Sequence, residues 1–274
     1  YLLFILLIGI ILSFYTNFNS VNLITGFFRF SGNEYFQTLY FSHYSITCFL
    51  ILLMIFMSGK HSLFKKSVIL FFLLLLIYFV IIAGSRGPFL VLLICFFFVL
   101  IHFRVRIIKL ITLIFLPLAY FITTSSIYDS LSSIGFATII NRFESNDISA
   151  RSSYYSEALN TFNNNLFFGG PFLLQKGNAI GSYPHNFFIE SLMTGGIFFF
   201  TLFVILIFFG FKSLIKNFRT KSFTFIDILF LQYFLLGMSS GALWSSKIFW
   251  FLLGIQLLSK NTDFNFKNTP FGSK

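Results

Sequence analysis

The chain has 274 residues, 57% of them hydrophobic and 10% charged, with a formal net charge of +11. A soluble domain carries about 25% charged residues, so this composition excludes an ordinary soluble fold and puts most of the chain in lipid. In a chain this apolar the basic excess reads as orientation charge, not as a nucleic-acid footprint.

In chain order, apolar runs of near-span length cover 1–15, 43–58, 67–84, 88–103, 107–124, 186–211, 224–241 and 245–259. They predict an all-α protein, a polytopic transmembrane helical bundle of about eight spans. Strand-built spans would alternate in hydropathy, and these runs do not. The first run is shorter than the roughly 20 residues a span needs. Residue 1 is Tyr, so the chain reads as a fragment with helices missing upstream. Cys48 and Cys95 lie inside apolar runs and read as buried, unpaired thiols. The membrane domain is expected over 1–259, including one long loop at 123–186 with short helices in it. A polar, cytoplasmic tail is expected over 260–274.

Lysine and arginine set the orientation. With the stretch after the first run outside, the inside segments hold Lys60, Lys65, Lys66, Arg104, Arg106, Lys109, Lys212, Lys216, Arg219, Lys221 and the tail lysines. The outside keeps Arg29, Arg86, Arg142, Arg151, Lys176 and Lys247. The short inside loops are the basic ones, as the positive-inside rule requires. Thr16–Ser42 and Thr123–Pro184 then face outward, and a loop as long as the second is usually functional.

The outside arginines stand where the rule disfavours them. Arg86 lies in Gly84-Ser85-Arg86-Gly87-Pro88 between two spans. It is either a snorkelling anchor or an anion ligand among small residues. A short helix is expected over about 150–164, capped by Asp147 or Ser149. At about 100° per residue, with Tyr154 at zero, Leu159, Tyr155, Phe162 and Ala158 fall between roughly 40° and 140°. Arg151 falls at roughly 60°, in the apolar stripe, where it requires an anionic ligand or a carboxylate such as Glu157. Gly169, Gly170, Gly177 and Gly181 follow, in a loop that suits close approach or motion.

His185-Asn186 opens the next apolar run. A histidine at the positive end of a helix is held toward neutral imidazole, the form that accepts a proton. The alternative is a cap or interfacial residue. Glu190, one turn on, is an acid inside the membrane and should have a partner, either His185 or an arginine. His43 is a reserve base, His61 and His102 are interfacial, and Asp227 and Gln232 read as bundle-packing groups. The sequence holds no Asp-x-Asp pair on the outside and no glycine-rich phosphate loop with lysine. The implied chemistry uses no metal and no cofactor: one base, with cationic stabilisation of a leaving anion.

In order, Ser85-Arg86-Gly87, Arg151-x-x-x-Tyr155-x-x-Ala158-Leu159, Asn165-Leu166-Phe167-Phe168-Gly169-Gly170, His185-Asn186-Phe187 and Gly195-Gly196-Ile197 resemble the O-antigen ligase and O-antigen polymerase membrane family over roughly residues 20–258. Members usually carry an aromatic, often Trp, where Tyr155 stands, and Gly-x-Gly where this chain has Gly-Gly-Pro. The resemblance implies a multi-pass protein of the bacterial inner membrane with its long loop in the periplasm. It implies a glycan donor on undecaprenyl diphosphate, with Arg86 and Arg151 on the diphosphate and Arg142 assisting. His185 is implied as general base, supported by Asn186, Glu190 and Tyr155. The acceptor is another lipid-linked repeat in a polymerase, the reading favoured here, or the lipid A core in a ligase; similar members build capsule or exopolysaccharide. Membrane lipids and a chain-length regulator protein are the implied partners, with no nucleic acid. The competing readings are a transporter or flippase, which predicts repeat symmetry and mid-bundle charges, and a non-catalytic membrane subunit.

Overall fold

The computed structural model describes residues 8, 21–24, 27–30, 38–59, 61–83, 85–104, 148–175, 180–220 and 222–258. Apart from Ile8, the run 1–15 lies outside these residues, as do the run 107–124, Arg142, the loop stretch 123–147 and the tail 260–274.

Two short strands, β1 (Val21–Ile24) and β2 (Phe27–Phe30), pair antiparallel, Val21 opposite Phe30 and Ile24 opposite Phe27. They fall in the stretch expected as an outer loop and are the only strands among the described residues. The helices are α1 (Thr38–Ser58), α2 (Leu63–Ile82), α3 (Arg86–His102), α4 (Ile148–Asn164), α5 (Phe187–Arg219), α6 (Phe225–Ser239) and α7 (Lys247–Leu258).

Among the described residues α1, α2 and α5 are long and apolar enough to cross a membrane, and α3, α6 and α7 are apolar but shorter. Six of the eight expected apolar runs are thus helices among the described residues, three of them of spanning length. The runs 224–241 and 245–259 are separated by a Ser/Gly-rich turn that trims α6 and α7 to 15 and 12 residues. Those lengths are about 22 and 18 Å, against a hydrocarbon core of about 30 Å. On α2, Leu63, Phe64, Leu70, Phe71 and Leu74 point outward. Such a stripe is untenable in water and suited to lipid. The chain is a helical membrane protein.

The chain divides into two compact units, Tyr1–Ser152 and Ser153–Lys274. In the first, α1 packs on both α2 and α3. Phe41, Ile46, Cys48 and Leu50 of α1 are buried, as are Leu76, Phe79 and Val80 of α2 and Cys95 and Val99 of α3. The rings of Phe41 and Phe79 lie 5.3 Å apart. Cys48 and Cys95 are buried free thiols, as expected.

In the second unit α5, α6 and α7 share a phenylalanine core. Phe187, Phe203, Phe230 and Phe249 are fully buried, with Phe187 and Phe249 centroids 4.8 Å apart. Such ring contacts add about 0.5–1.5 kcal/mol each beyond burial. Asp227 fastens the far ends of these helices. Its Oδ2 accepts from the Thr224 backbone N–H (2.7 Å) and hydroxyl (2.9 Å) at the start of α6. Its Oδ1 accepts from Asn217 of α5 and Gln256 of α7, both at 2.8 Å. The packing role expected for Asp227 is thus a junction of three helices.

Helix α5 is broken. Gly196 has φ 62° and ψ −160°, so the 33-residue element is two helices meeting at a kink. Unbroken, it would run about 50 Å, well beyond the membrane core. The segment after the kink, 197–219, is about 35 Å long and suffices to span. The loop after α4 satisfies the broken turn. In a continuous helix the Ile197 N–H would bond the Met193 carbonyl. Here Ile197 N–H donates to Leu166 O (2.8 Å), and Gly170 N–H donates to Met193 O (2.7 Å). The exchange needs backbone-to-backbone approach. A methyl at Gly169 (φ 72°) would collide with Thr194–Gly196, and one at Gly196 with Phe167 and Gly169.

Gly196→Ala is therefore expected to destabilise the fold by about 3 kcal/mol, through positive φ and the lost approach. The thermal midpoint in detergent should fall, and the loop at 165–175 should become susceptible to protease. Asp227→Ala should cost a comparable amount, about 2–4 kcal/mol, because buried donors lose their acceptor. Asp227→Asn should cost less, and equal midpoints for Asp227→Ala and the parent would remove the junction role.

Candidate active site

The chain enters α5 through three consecutive residues with separate tasks. Asn186 is the N-cap: its Oδ1 accepts from Phe188 N–H (3.0 Å) and Ile189 N–H (3.3 Å). Phe187 is the anchor. Its ring fills the space beside Gly237 and Gly241, where a Cβ at either position would meet it. His185 thus stands just outside the helix, two residues before its first residue, Phe187. Its φ is 57°, the left-handed region that non-glycine residues enter at a cost of about 1–3 kcal/mol. The cap on one side and the anchor beyond it hold this backbone turn.

Two tyrosines and a carbonyl surround the imidazole. Tyr154 of α4 stacks on it with centroids 6.2 Å apart and planes at 27°. Tyr183 lies 4.2 Å away, tilted by 52°. Nδ1 lies 3.4 Å from the backbone carbonyl of Ser240, at the end of α6. A carbonyl only accepts, so this contact is a hydrogen bond in the tautomer that carries its proton on Nδ1. In the neutral ring Nε2 is then the acceptor.

Tyr154 is positioned by a small cluster. Ala158, Leu174 and Met193 are buried together, and Tyr154 and Ile189 pack against them. This joins α4, the following loop and the first half of α5. The backbone pairs of Leu174 with Ser182 and Gly181 close the loop (2.9 and 3.0 Å).

Glu190 is fully buried. Neither expected partner is its ligand. Its Oε2 accepts from Leu243 N–H (2.9 Å) and Oε1 from Trp244 N–H (3.4 Å). The carboxylate therefore holds the turn between α6 and α7 against the start of α5. Ser240, which meets His185, begins that same turn. Glu190 acts on His185 through this backbone and not by direct contact.

The arginines fare differently. Arg151 lies on α4 at an angle close to that of Ala158, as the helical reading requires, yet its side chain is exposed. The angle gives the face of a helix and not its depth. Arg151 precedes the packed cluster by about a turn. Ser149 lies inside α4 and does not cap it; Asp147 is outside the described residues. Arg86 is the first residue of α3, in the first compact unit, preceded by buried Ser85. Tyr155 is half-buried, and the ring stacked on His185 belongs to its neighbour Tyr154. His43 is half-buried in the second turn of α1. Tyr154, Ser240 and the Gly237–Gly241 notch were not evident from sequence. Tyr183, two residues before His185, carried a local signal that proximity alone supplied.

Residues 70–204 match the family model described as O-antigen ligase. Over that segment, just under half of its length, the chain is similar to the O-antigen ligase family. No curated protein matches the chain. The family segment takes in Arg86, Arg142, Arg151, Tyr154, His185, Glu190 and both glycines of the helix break. The Ser240–Trp244 turn that supports His185 lies beyond it.

The support predicts a graded series at Glu190. Glu190→Gln keeps an oxygen for one N–H and turns an amide toward the other, whereas Glu190→Ala leaves two buried donors unmet. With family activity assayed in membranes, about a tenfold loss is expected for Glu190→Ala and a smaller one for Glu190→Gln. Equal activities across the series, at equal protein levels, would show that the turn does not govern His185.

Proposed function

We propose that this chain is a membrane glycosyltransferase of the O-antigen polymerase type, moving a glycan from undecaprenyl diphosphate to the hydroxyl of a second lipid-linked sugar at the periplasmic face of the inner membrane. The observation that carries the reading is the state of His185. A ring held between Tyr154 and Tyr183, with Nδ1–H directed at Ser240 O, has Nε2 as its basic nitrogen.

In the proposed reaction the acceptor hydroxyl gives its proton to Nε2 of His185. Its oxygen attacks the anomeric carbon of the donor, forming the new C–O bond. The bond from that carbon to the phosphate oxygen breaks, and the electron pair leaves with the lipid diphosphate. Arg86, Arg151 and Arg142 are the proposed cations for that anion, since guanidinium matches phosphate oxygens with two parallel donors and stays charged. The exposure of Arg151 suits a ligand that arrives from outside the protein. Asn186 and Glu190 are positioning residues in this scheme, and Tyr155 an aromatic support. The lipid carrier supplies the driving force as the leaving group.

His185→Ala is expected to lower glycan transfer by 100-fold or more, on the order of a general base's contribution, while donor still binds. Arg86→Ala and Arg151→Ala should each abolish long-chain glycan, and the Lys replacements should restore only part of it. Glycan gels of a deletion strain complemented with each variant make the measurement. Normal ladders from His185→Ala would move the base elsewhere, with His43 next to test. Loss of long chains with a single repeat retained marks a polymerase; loss of every repeat from the lipid A core marks a ligase.

A further inference from the structure

The loop after α4 carries more exposed apolar surface than a loop in water supports. Leu166, Phe167, Phe168 and Phe172 are exposed by 48, 61, 82 and 60%. Phe167 and Phe168 reach the ring of Phe198 on α5, at centroid distances of 6.0 and 5.5 Å. Phe198 itself is 60% exposed and begins the outward apolar stripe of α5 that continues through Leu202. The loop surface and the lipid-facing side of a spanning helix are thus one continuous patch.

The loop's backbone is suited to the same surroundings. Irregular backbone is excluded from hydrocarbon unless its polar groups are met within the protein. Here Gly169 N–H donates to Asn165 O (2.9 Å), Gly170 N–H to Met193 O, and Leu166 O accepts from Ile197. The depth is set by α5. From Ile197 to the basic end at Lys216 is about 29 Å along the axis, close to the thickness of the hydrocarbon core. With Lys216 at one interface, the loop lies at the other.

We propose that Leu166–Phe172 is a membrane wedge, with its phenylalanine rings inserted among the acyl chains and headgroups of the leaflet opposite the Lys212–Arg219 end of α5. The occupant of this surface is the lipid bilayer. The wedge holds α4, which shares the loop's backbone, at the membrane surface with its serine- and asparagine-rich side in water. The inference rests on the fold and is independent of the transfer reaction.

Site-directed spin labelling of the full chain in liposomes tests it. Phe167→Cys, Phe168→Cys and Phe172→Cys are each labelled with a nitroxide in a Cys48→Ala/Cys95→Ala background. Asn160→Cys on α4 serves as the water reference and Leu202→Cys on α5 as the lipid reference. Any one loop variant that elutes as a single species is sufficient. At the loop sites the collision rate with a water-soluble nickel chelate should be at least about fivefold lower than at Asn160, with oxygen accessibility near that of Leu202. Chelate accessibility matching Asn160 would put the loop in water and overturn the proposal. Low accessibility to both oxygen and chelate would mean that protein covers the patch, and would overturn it equally.

Discussion

At Gly196 two backbone groups of α5 exchange partners, and much of the second unit follows from that exchange. A transmembrane helix that loses a turn must have its polar groups met by something else. The α4–α5 loop supplies both replacements, Leu166 O and Gly170 N–H. The replacement bonds require two chains to approach at backbone distance, so glycine is needed on both sides. One break thereby ends the span at a suitable length and ties down a long connection. It also sets the packed face of α4 against the first half of α5.

That placement gives the histidine its surroundings. With Ala158 and Met193 packed together, Tyr154 is carried to the imidazole of His185. From the other side, Glu190 and the Phe187 notch hold the end of α6, whose last carbonyl faces Nδ1. The left-handed backbone at His185 is tolerated because the cap at Asn186 and the anchor at Phe187 determine the chain on one side of it. Stacking, the contact with Ser240 O and an over-determined backbone together restrict a ring that would otherwise rotate freely at a helix entrance. These are the elements by which a site is preorganised, and here they come from α4, α5 and the α6–α7 turn.

Several readings from the residues alone hold in the structure. The helices at 38–58, 63–82, 86–102, 148–164, 187–219, 225–239 and 247–258 follow the apolar runs or the amphipathic pattern that announced them. Asp227 is a packing group and the two cysteines are buried free thiols. Other readings failed for identifiable reasons. Arg151 lies on the expected face of α4 and is exposed there, since helical periodicity carries no information about where a packed cluster stops. Glu190 is expected to meet His185 or an arginine, but its ligands are the amides of Leu243 and Trp244. The run 186–211 reads as one span because apolar composition continues through Gly195 and Gly196, and a glycine pair within a run does not reveal the break at Gly196.

By itself the sequence determined what composition and local period govern: a helical membrane protein, the approximate helix limits, a polar loop ahead of α5 and a histidine at its entrance. These depend on residues within a turn or two of each other and on the exclusion of polar groups from lipid. Only the tertiary structure decided which groups meet that histidine, where α5 breaks, and what the buried acid holds. Ser240 lies 55 residues from His185 and Leu243 lies 53 from Glu190. Contacts across such separations arise when helices pack, and no local pattern encodes them.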